Sequence, residues 1–220
     1  ISALDRIEKK ILFLEANNQF DLVGCSLIAI DVNNKKIGES IYFSNEKLLK
    51  ERLKLVTPVS HIWVAKKSLY DKLKGYRNIS GVEDYDFLLR MNTLGYKYSN
   101  LENYFGYYVR LGRVGNTIST YGIRQIKLHS YVYKLYLERQ KSGFDTFNLN
   151  SLNKNIKTNK YMEKLHYFSS KSLFKGIDAR SEKKFFKMTF YVILSMVSPY
   201  QIFYLYNKFL NYKIIQKYYK

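Results

Sequence analysis

One cysteine, two prolines, one tryptophan and three histidines in 220 residues close off several chemistries at once. With Cys25 alone, neither an intrachain disulfide nor a multi-cysteine metal site is possible. It sits in the apolar run Leu22-Val23-Gly24-Cys25-Ser26-Leu27-Ile28 and reads as a small core residue rather than a nucleophile. His61, His129 and His166 are too far apart for any two to stand at metal-ligand spacing. So few prolines, with 11 glycines, leave little room for a low-complexity linker, and the chain reads as mostly folded. It has no signal-peptide pattern and opens directly on a helical segment at Ile1, so an upstream part is expected before it.

Acidic residues are also scarce, 18 Asp and Glu against 37 Lys and Arg, for a net charge of +19. The excess is uneven. Residues 1–126 carry 19 basic against 13 acidic side chains, whereas residues 127–220 carry 18 against 5. A basic tail implies an anionic partner, either phospholipid or nucleic acid. Hydrophobic residues at 46% and charged residues at 25% are ordinary globular proportions, but 22 Tyr and 14 Phe are not.

Ser2 and Asp5 resemble a capping box, and Leu4, Ile7, Ile11 and Leu14 recur at helical spacing, which predicts a helix over residues 3–16. Residues 20–31 are rich in β-formers, and Asn33-Asn34 offers a turn before 36–43, so a hairpin is expected there. A polar helix over 45–55 is ended by Pro58, 61–65 read as a short buried strand, and a helix over 68–74 closes on Gly75. Residues 83–94 form the next helix. It has three carboxylates in its first turn, Arg90 near its end and Gly95 as a stop, the charge order a helix dipole favours. Two strands follow, over 97–101 and 104–111, then a long basic helix over 121–141 and an Asn- and Lys-rich connection over 142–160. Three parts are expected: a mixed α/β domain over 1–125, a helical extension over 126–181 and a helical tail over 182–220.

The most informative stretch is Gly75-Tyr76-Arg77, then Val82-Glu83-Asp84-Tyr85-Asp86-Phe87-Leu88-Leu89-Arg90, then Gly95-Tyr96-Lys97. With Tyr107-Tyr108-Val109-Arg110 and Asn116-Thr117-Ile118-Ser119 after it, the order resembles glycosyltransferase family 2 over roughly residues 1–125. The resemblance implies the acceptor-side, C-terminal portion of a GT-A (Rossmann-like) domain with a mixed sheet. It also implies an inverting transfer from a nucleotide sugar to a glycan or lipid-linked acceptor, of the kind used in bacterial-type surface polysaccharide synthesis. Such a transfer is a single displacement, in which a base must take the acceptor hydroxyl's proton as that oxygen attacks the anomeric carbon. Asp84 matches the family's base and Glu83 its partner, while Gly75, Tyr76 and Arg77 fall on the acceptor side. Asp86 lies on another face of the helix and reads as a solvated or structural carboxylate.

The same resemblance implies a divalent ion, Mn or Mg, on the leaving diphosphate. The family holds it with an Asp-x-Asp stretch just before the helix that begins here near Ile1. This chain has no Asp-x-Asp at that place, and Asp84-Tyr85-Asp86 opens a helix instead, so the ion's ligands are expected upstream. His61 matches a position that faces the active site in the family, though a core histidine is an equal reading. Arg110 and Arg113 are candidates for the diphosphate or an anionic acceptor. Gln125 is not followed by the Arg-Trp pair of the processive synthases, which speaks against a polymer synthase.

Residues 188–207 contain no charge, about a bilayer's length, but Ser198-Pro199 should break any helix there. Lysines flank both sides, so two short amphipathic helices on an anionic membrane surface, at its cytoplasmic face, fit better than a crossing. The alternative is a basic peripheral membrane or nucleic-acid-binding module without catalysis. No nucleic-acid motif supports the second form of it.

Overall fold

The computed structural model describes residues 1–110 and 122–219. Its elements run α1 (Arg6–Ala16), β1 (Leu22–Ile30), β2 (Lys36–Ser40), α2 (Glu46–Arg52), β3 (Val64–Ala65), α3 (Lys67–Leu73), α4 (Glu83–Thr93), β4 (Tyr98–Arg110), α5 (Ile123–Ser142), α6 (Leu149–Ile156), α7 (Lys160–Ser181), α8 (Phe185–Ser195) and α9 (Pro199–Tyr218). The fold is therefore mixed α/β, with helices alone after β4.

β1 is the organising strand. Residues Leu22–Leu27 are buried on both faces, as a continuous apolar run at the centre of a sheet requires. β4 pairs with it in parallel along its whole length, while β3 and β2 pair antiparallel at its start and its end. Since a strand has two edges, β2 and β3 share the one that β4 leaves. The expected hairpin is present. The two strands expected after α4 are one strand, whose register against β1 shifts around Ser26; Asn103, at φ +53°, takes up the irregularity. A local bulge lets a single strand absorb extra residues without ending its ladder.

The first helix starts later than its periodicity suggests. Ser2 bridges to Tyr107 as an extension of the sheet, and its hydroxyl accepts from Arg6 Nε at 2.7 Å. Asp5 occupies the cap position but makes no capping bond; its carboxylate pairs with Lys9 at 2.8 Å instead. The anticipated capping box is thus not formed, because pairing to β4 claims the backbone that would have begun the helix.

Two cores meet on α4. On one side Leu22, Leu49, Val59, Trp63, Leu69, Phe87, Leu88 and Met91 pack between sheet, α2 and α3. On the other, Ile79, Val82, Tyr85 and Leu89 pack against Leu128, Tyr131, Val132 and Leu135 of α5. Every residue from Tyr85 to Met91 is buried, so α4 is clamped from all sides. α5 begins at Ile123 and completes this core.

Candidate active site

The carboxylates that open α4 inherit that rigidity. Gly81, at φ +102°, turns the chain into the helix in a conformation that side-chain-bearing residues avoid. Glu83 folds back so that its carboxylate accepts from the Gly81 N–H at 2.6 Å. The start of α5 holds the same turn, where Gln125 donates to the Gly81 carbonyl and Arg124 to that of Ser80 at 3.2 Å. Gln125 is thus part of the site's frame. Tyr85 anchors the turn from inside, donating to the Leu53 carbonyl at 2.5 Å while stacking on the His129 ring at 3.9 Å.

Asp84 and Asp86, two residues apart, have different fates. Asp86 is fully buried and accepts from Arg90 Nε at 2.8 Å, and Arg77 stands 3.8 Å from its other oxygen. Arg90 uses its remaining nitrogens to donate to the carbonyls of Leu73 at 2.7 Å and Gly75 at 2.8 Å. Arg77 also pairs with Asp145 at 2.9 Å and lies over the Phe147 ring, and Arg139 closes the network on Asp145. Asp86 is therefore structural, the second of its two expected roles. Its partners tie the end of α3, the Gly75-Tyr76-Arg77 segment, α4 and the turn after α5 into one unit.

Asp84, by contrast, takes part in no ion pair among the described residues. Its carboxylate accepts from the Tyr85 N–H at 2.7 Å. Partial burial raises its pKa above the ordinary carboxylate range. The Tyr85 N–H and the charge of His61 oppose that rise, and Glu83 adds to it. A carboxylate placed this way holds a proton more readily than a solvated one, the property a general base needs.

The surroundings of Asp84 come from three segments. His61 is exposed, in a loop fixed by Arg6 and Lys10, which donate to the Ile62 carbonyl at 2.8 and 2.6 Å. The same loop is laced to β1 by Ser60, whose hydroxyl donates to the Cys25 carbonyl at 2.8 Å, and Cys25 itself is a buried core residue. Gly24 permits the approach, since a Cβ there would lie 2.5 Å from Val59 Cγ1. Tyr42 and Tyr76 both feel the Asp84 charge. The Tyr76 ring is 45% exposed, its hydroxyl shares a 2.9 Å hydrogen bond with Tyr70, and burial with that bond holds the phenol neutral well above its usual range. Behind it Tyr70, Phe87 and Trp63 form an aromatic cluster with ring centroids 4.6 to 6.0 Å apart, braced by Trp63 Nε1 donating to Tyr70 at 2.8 Å.

The structure thus places Asp84 within electrostatic reach of His61 and Tyr76, with Glu83 beside it in the chain, while Arg77 turns to the Asp86 and Asp145 network. Arg110 is placed elsewhere: it donates to the carbonyls of Asp31 and Val32, both at 3.0 Å, and to Asn34 at 2.6 Å, locking the β1–β2 turn. Arg113 and the Asn116–Ser119 stretch lie outside the described residues. Tyr42, Tyr70 and the Asp145 end of the network were not anticipated. Only the Asp86/Arg90 spacing of four, which places both on one helix face, offered a signal for the last. Among the described residues no group of three His, Cys, Asp or Glu side chains could hold a metal ion.

Scanned against protein-family models the chain matches none, and it matches no curated protein.

Proposed function

We propose that this chain is the acceptor-side half of an inverting, nucleotide-sugar-dependent glycosyltransferase of the GT-A type, with Asp84 as its general base. The observation that carries this reading is the contrast between two neighbouring carboxylates. Asp86 is buried and neutralised by arginines, while Asp84 is held on the same rigid helix with a raised pKa, no ion pair among the described residues, and an exposed tyrosine and histidine within electrostatic reach. A carboxylate kept free on so fixed a support has a chemical use more readily than a packing one.

In this reading the acceptor hydroxyl donates its proton to Asp84 as its oxygen attacks the anomeric carbon. The bond from that carbon to the diphosphate oxygen breaks, its electron pair leaves with the nucleotide, and the configuration inverts. Glu83 shapes the turn, and Tyr76 offers an aromatic face to the acceptor sugar's apolar side. The donor and the divalent ion belong, in this reading, to a segment upstream of Ile1. The acceptor is a glycan or a lipid-linked sugar, reached from the cytoplasmic face of an anionic membrane on which the tail rests.

The test is transfer by the protein extended through the upstream segment, with a panel of nucleotide sugars and membrane acceptors. Formation of a new glycosidic bond with inverted anomeric configuration, read by NMR, supports the reading. A retained configuration, or no transfer with any donor, overturns it. Residues 1–220 alone should bind nucleotide sugars no more tightly than millimolar by calorimetry with Mn²⁺. Micromolar, metal-dependent binding would put the donor site within this chain.

A further inference from the structure

The first half of α9 lies beside α5, and its second half is tied to α2 and the segment before it. Asn211 accepts from Arg52 at 2.8 Å, Lys217 pairs with Glu51 at 2.7 Å, and the Tyr219 ring lies 4.6 Å from that of Phe43. Between these moorings a gap stays open. On α5 it is faced by Ile126, His129, Ser130 and Tyr133, one stripe at helical spacing, in which Ser130 is too small to close it. Residues 54–56, in the turn after α2, supply another side. What remains is a cavity of about 180 Å³. A cavity of about 150 Å³ holds a benzene molecule, so this one has room for a small organic group.

Part of the wall is apolar, from Leu55, Val56, Ile126, Phe203 and the rings of Tyr133 and Tyr204. The rest is Lys54, His129, Ser130, Asn207 and Lys208. None of these five side chains has a hydrogen bond or an ion pair among the described residues. Lys208 lies over the Tyr204 ring at 5.5 Å, and His129 stacks on Tyr85. Burial holds the His129 imidazole neutral, with its pKa pushed down to about 4. At neutral pH one ring nitrogen therefore carries a proton and the other a lone pair, with no partner for either among the described residues. Polar groups withdrawn from water are ordinarily bonded, so unused donors on a cavity wall point to a ligand that supplies acceptors.

The charge of the wall says which ligand. No carboxylate lines the cavity, so its field is positive. Two ammonium groups, an imidazole, a hydroxyl and a carboxamide are more donors than a carboxylate's oxygens can use. A phosphate monoester brings three strong acceptor oxygens and a charge of about −1.5 to −2. The apolar wall requires that the ester also carry a hydrocarbon or aryl body. Room for that body adjoins: a wider cleft of about 430 Å³ shares Ile126, Ser130 and Phe203 with the cavity and continues along α5 past Lys127 and Lys134.

We infer that this cavity binds an organic phosphate monoester. Lys54 and Lys208 hold the phosphate, His129, Ser130 and Asn207 are its polar neighbours, and the apolar body lies along Ile126 and Phe203 toward the cleft. The site is a property of residues 1–220 alone and needs no metal ion, so it goes beyond the transferase reading and does not rest on it. Because His129 stacks on Tyr85, the residue after Asp84, the ligand sits one pair of rings behind the start of α4.

The test is calorimetry on the full chain, without divalent metal, using octyl phosphate below its micellar concentration, phenyl phosphate, inorganic phosphate and 1-octanol. Octyl or phenyl phosphate should bind saturably and at least tenfold more tightly than inorganic phosphate and octanol. A tenfold advantage of octyl over phenyl phosphate assigns the site to a single-chain lipid phosphate that uses the cleft. Any smaller or reversed difference assigns it to a soluble aromatic phosphate. Lys54→Gln combined with Lys208→Gln should weaken binding at least tenfold. Ser130→Trp, which fills the cavity from an exposed position, should abolish it. All three positions are exposed, and unchanged circular dichroism melts check that the variants fold. In proton NMR the His129 ring signals should shift as the site saturates. Organic phosphates that bind no better than inorganic phosphate or octanol overturn the assignment. So does binding that leaves the His129 signals unmoved and survives Ser130→Trp.

Discussion

Removing the Asp86 carboxylate gives the sharpest check on how α4 holds the site. Asp86 is fully buried, and its neighbour Arg90, 7% exposed, meets it at 2.8 Å while donating to two carbonyls at the end of α3. In Asp86→Ala the two carbonyl bonds remain, but the guanidinium loses its counter-charge inside the fold. Breaking a buried pair from one side costs about 3–5 kcal/mol, far more than a surface pair. For a chain of this size that corresponds to a melting temperature lower by about 6–20 °C. The loss should be nearly insensitive to salt, because screening does not reach a buried pair. Urea unfolding followed by circular dichroism measures it, and a double-mutant cycle with Arg90→Met isolates the pair. The double variant should recover part of the loss, since two apolar groups leave no orphaned charge. A loss below about 1 kcal/mol, or one abolished by high salt, would refute the picture of a buried charged brace.

Two further predictions concern pH. Burial raises the Asp84 pKa in the fold above its unfolded value, so ionised Asp84 weakens the fold above that raised pKa and ceases to do so below the unfolded value near 4. Asp84→Asn should therefore raise the melting temperature at pH 7 and lose that gain as pH falls toward 4; a destabilised variant at pH 7 would contradict the assignment. For His129 the sign is opposite. Burial pushes its pKa down to about 4 from 6.5, so the native state resists protonation and stability falls as pH drops between those values, by up to about 3 kcal/mol. His129→Phe, which keeps the ring stacked on Tyr85, should flatten that acid limb in pH-dependent melts; an unchanged limb would exclude this imidazole as its source.

Much of the framework was legible because it depends on local chemistry. The apolar run at 22–28 could only be an interior strand, and Glu83, Arg90 and Gly95 marked α4 to within a residue. What escaped depended on distant partners. Nothing local distinguishes the Ser2–Asp5 stretch from a capping box until β4 pairs with Ser2. Asp86 and Asp145 look like solvated acids until Arg90 of α4, Arg139 of α5 and Arg77 from the segment before α4 converge on them. Arg110 reads as a ligand contact until the β1–β2 turn is folded under it. In the tail, composition showed the uncharged stretch and the break at Ser198-Pro199. The serines within it became an interior only once α7 was packed against α8.

The proposed role of Asp84 as the acceptor's base is tested most directly by one comparison. Turnover of the upstream-extended enzyme is measured for Asp84→Asn and Glu83→Gln beside wild type, with folding confirmed by circular dichroism. Asp84→Asn keeps the size of the side chain and removes its proton acceptor, so turnover should fall by about a hundredfold or more at unchanged donor affinity. Glu83→Gln, which can still accept from the Gly81 N–H, should lose much less. Near-normal turnover in folded Asp84→Asn would contradict the account.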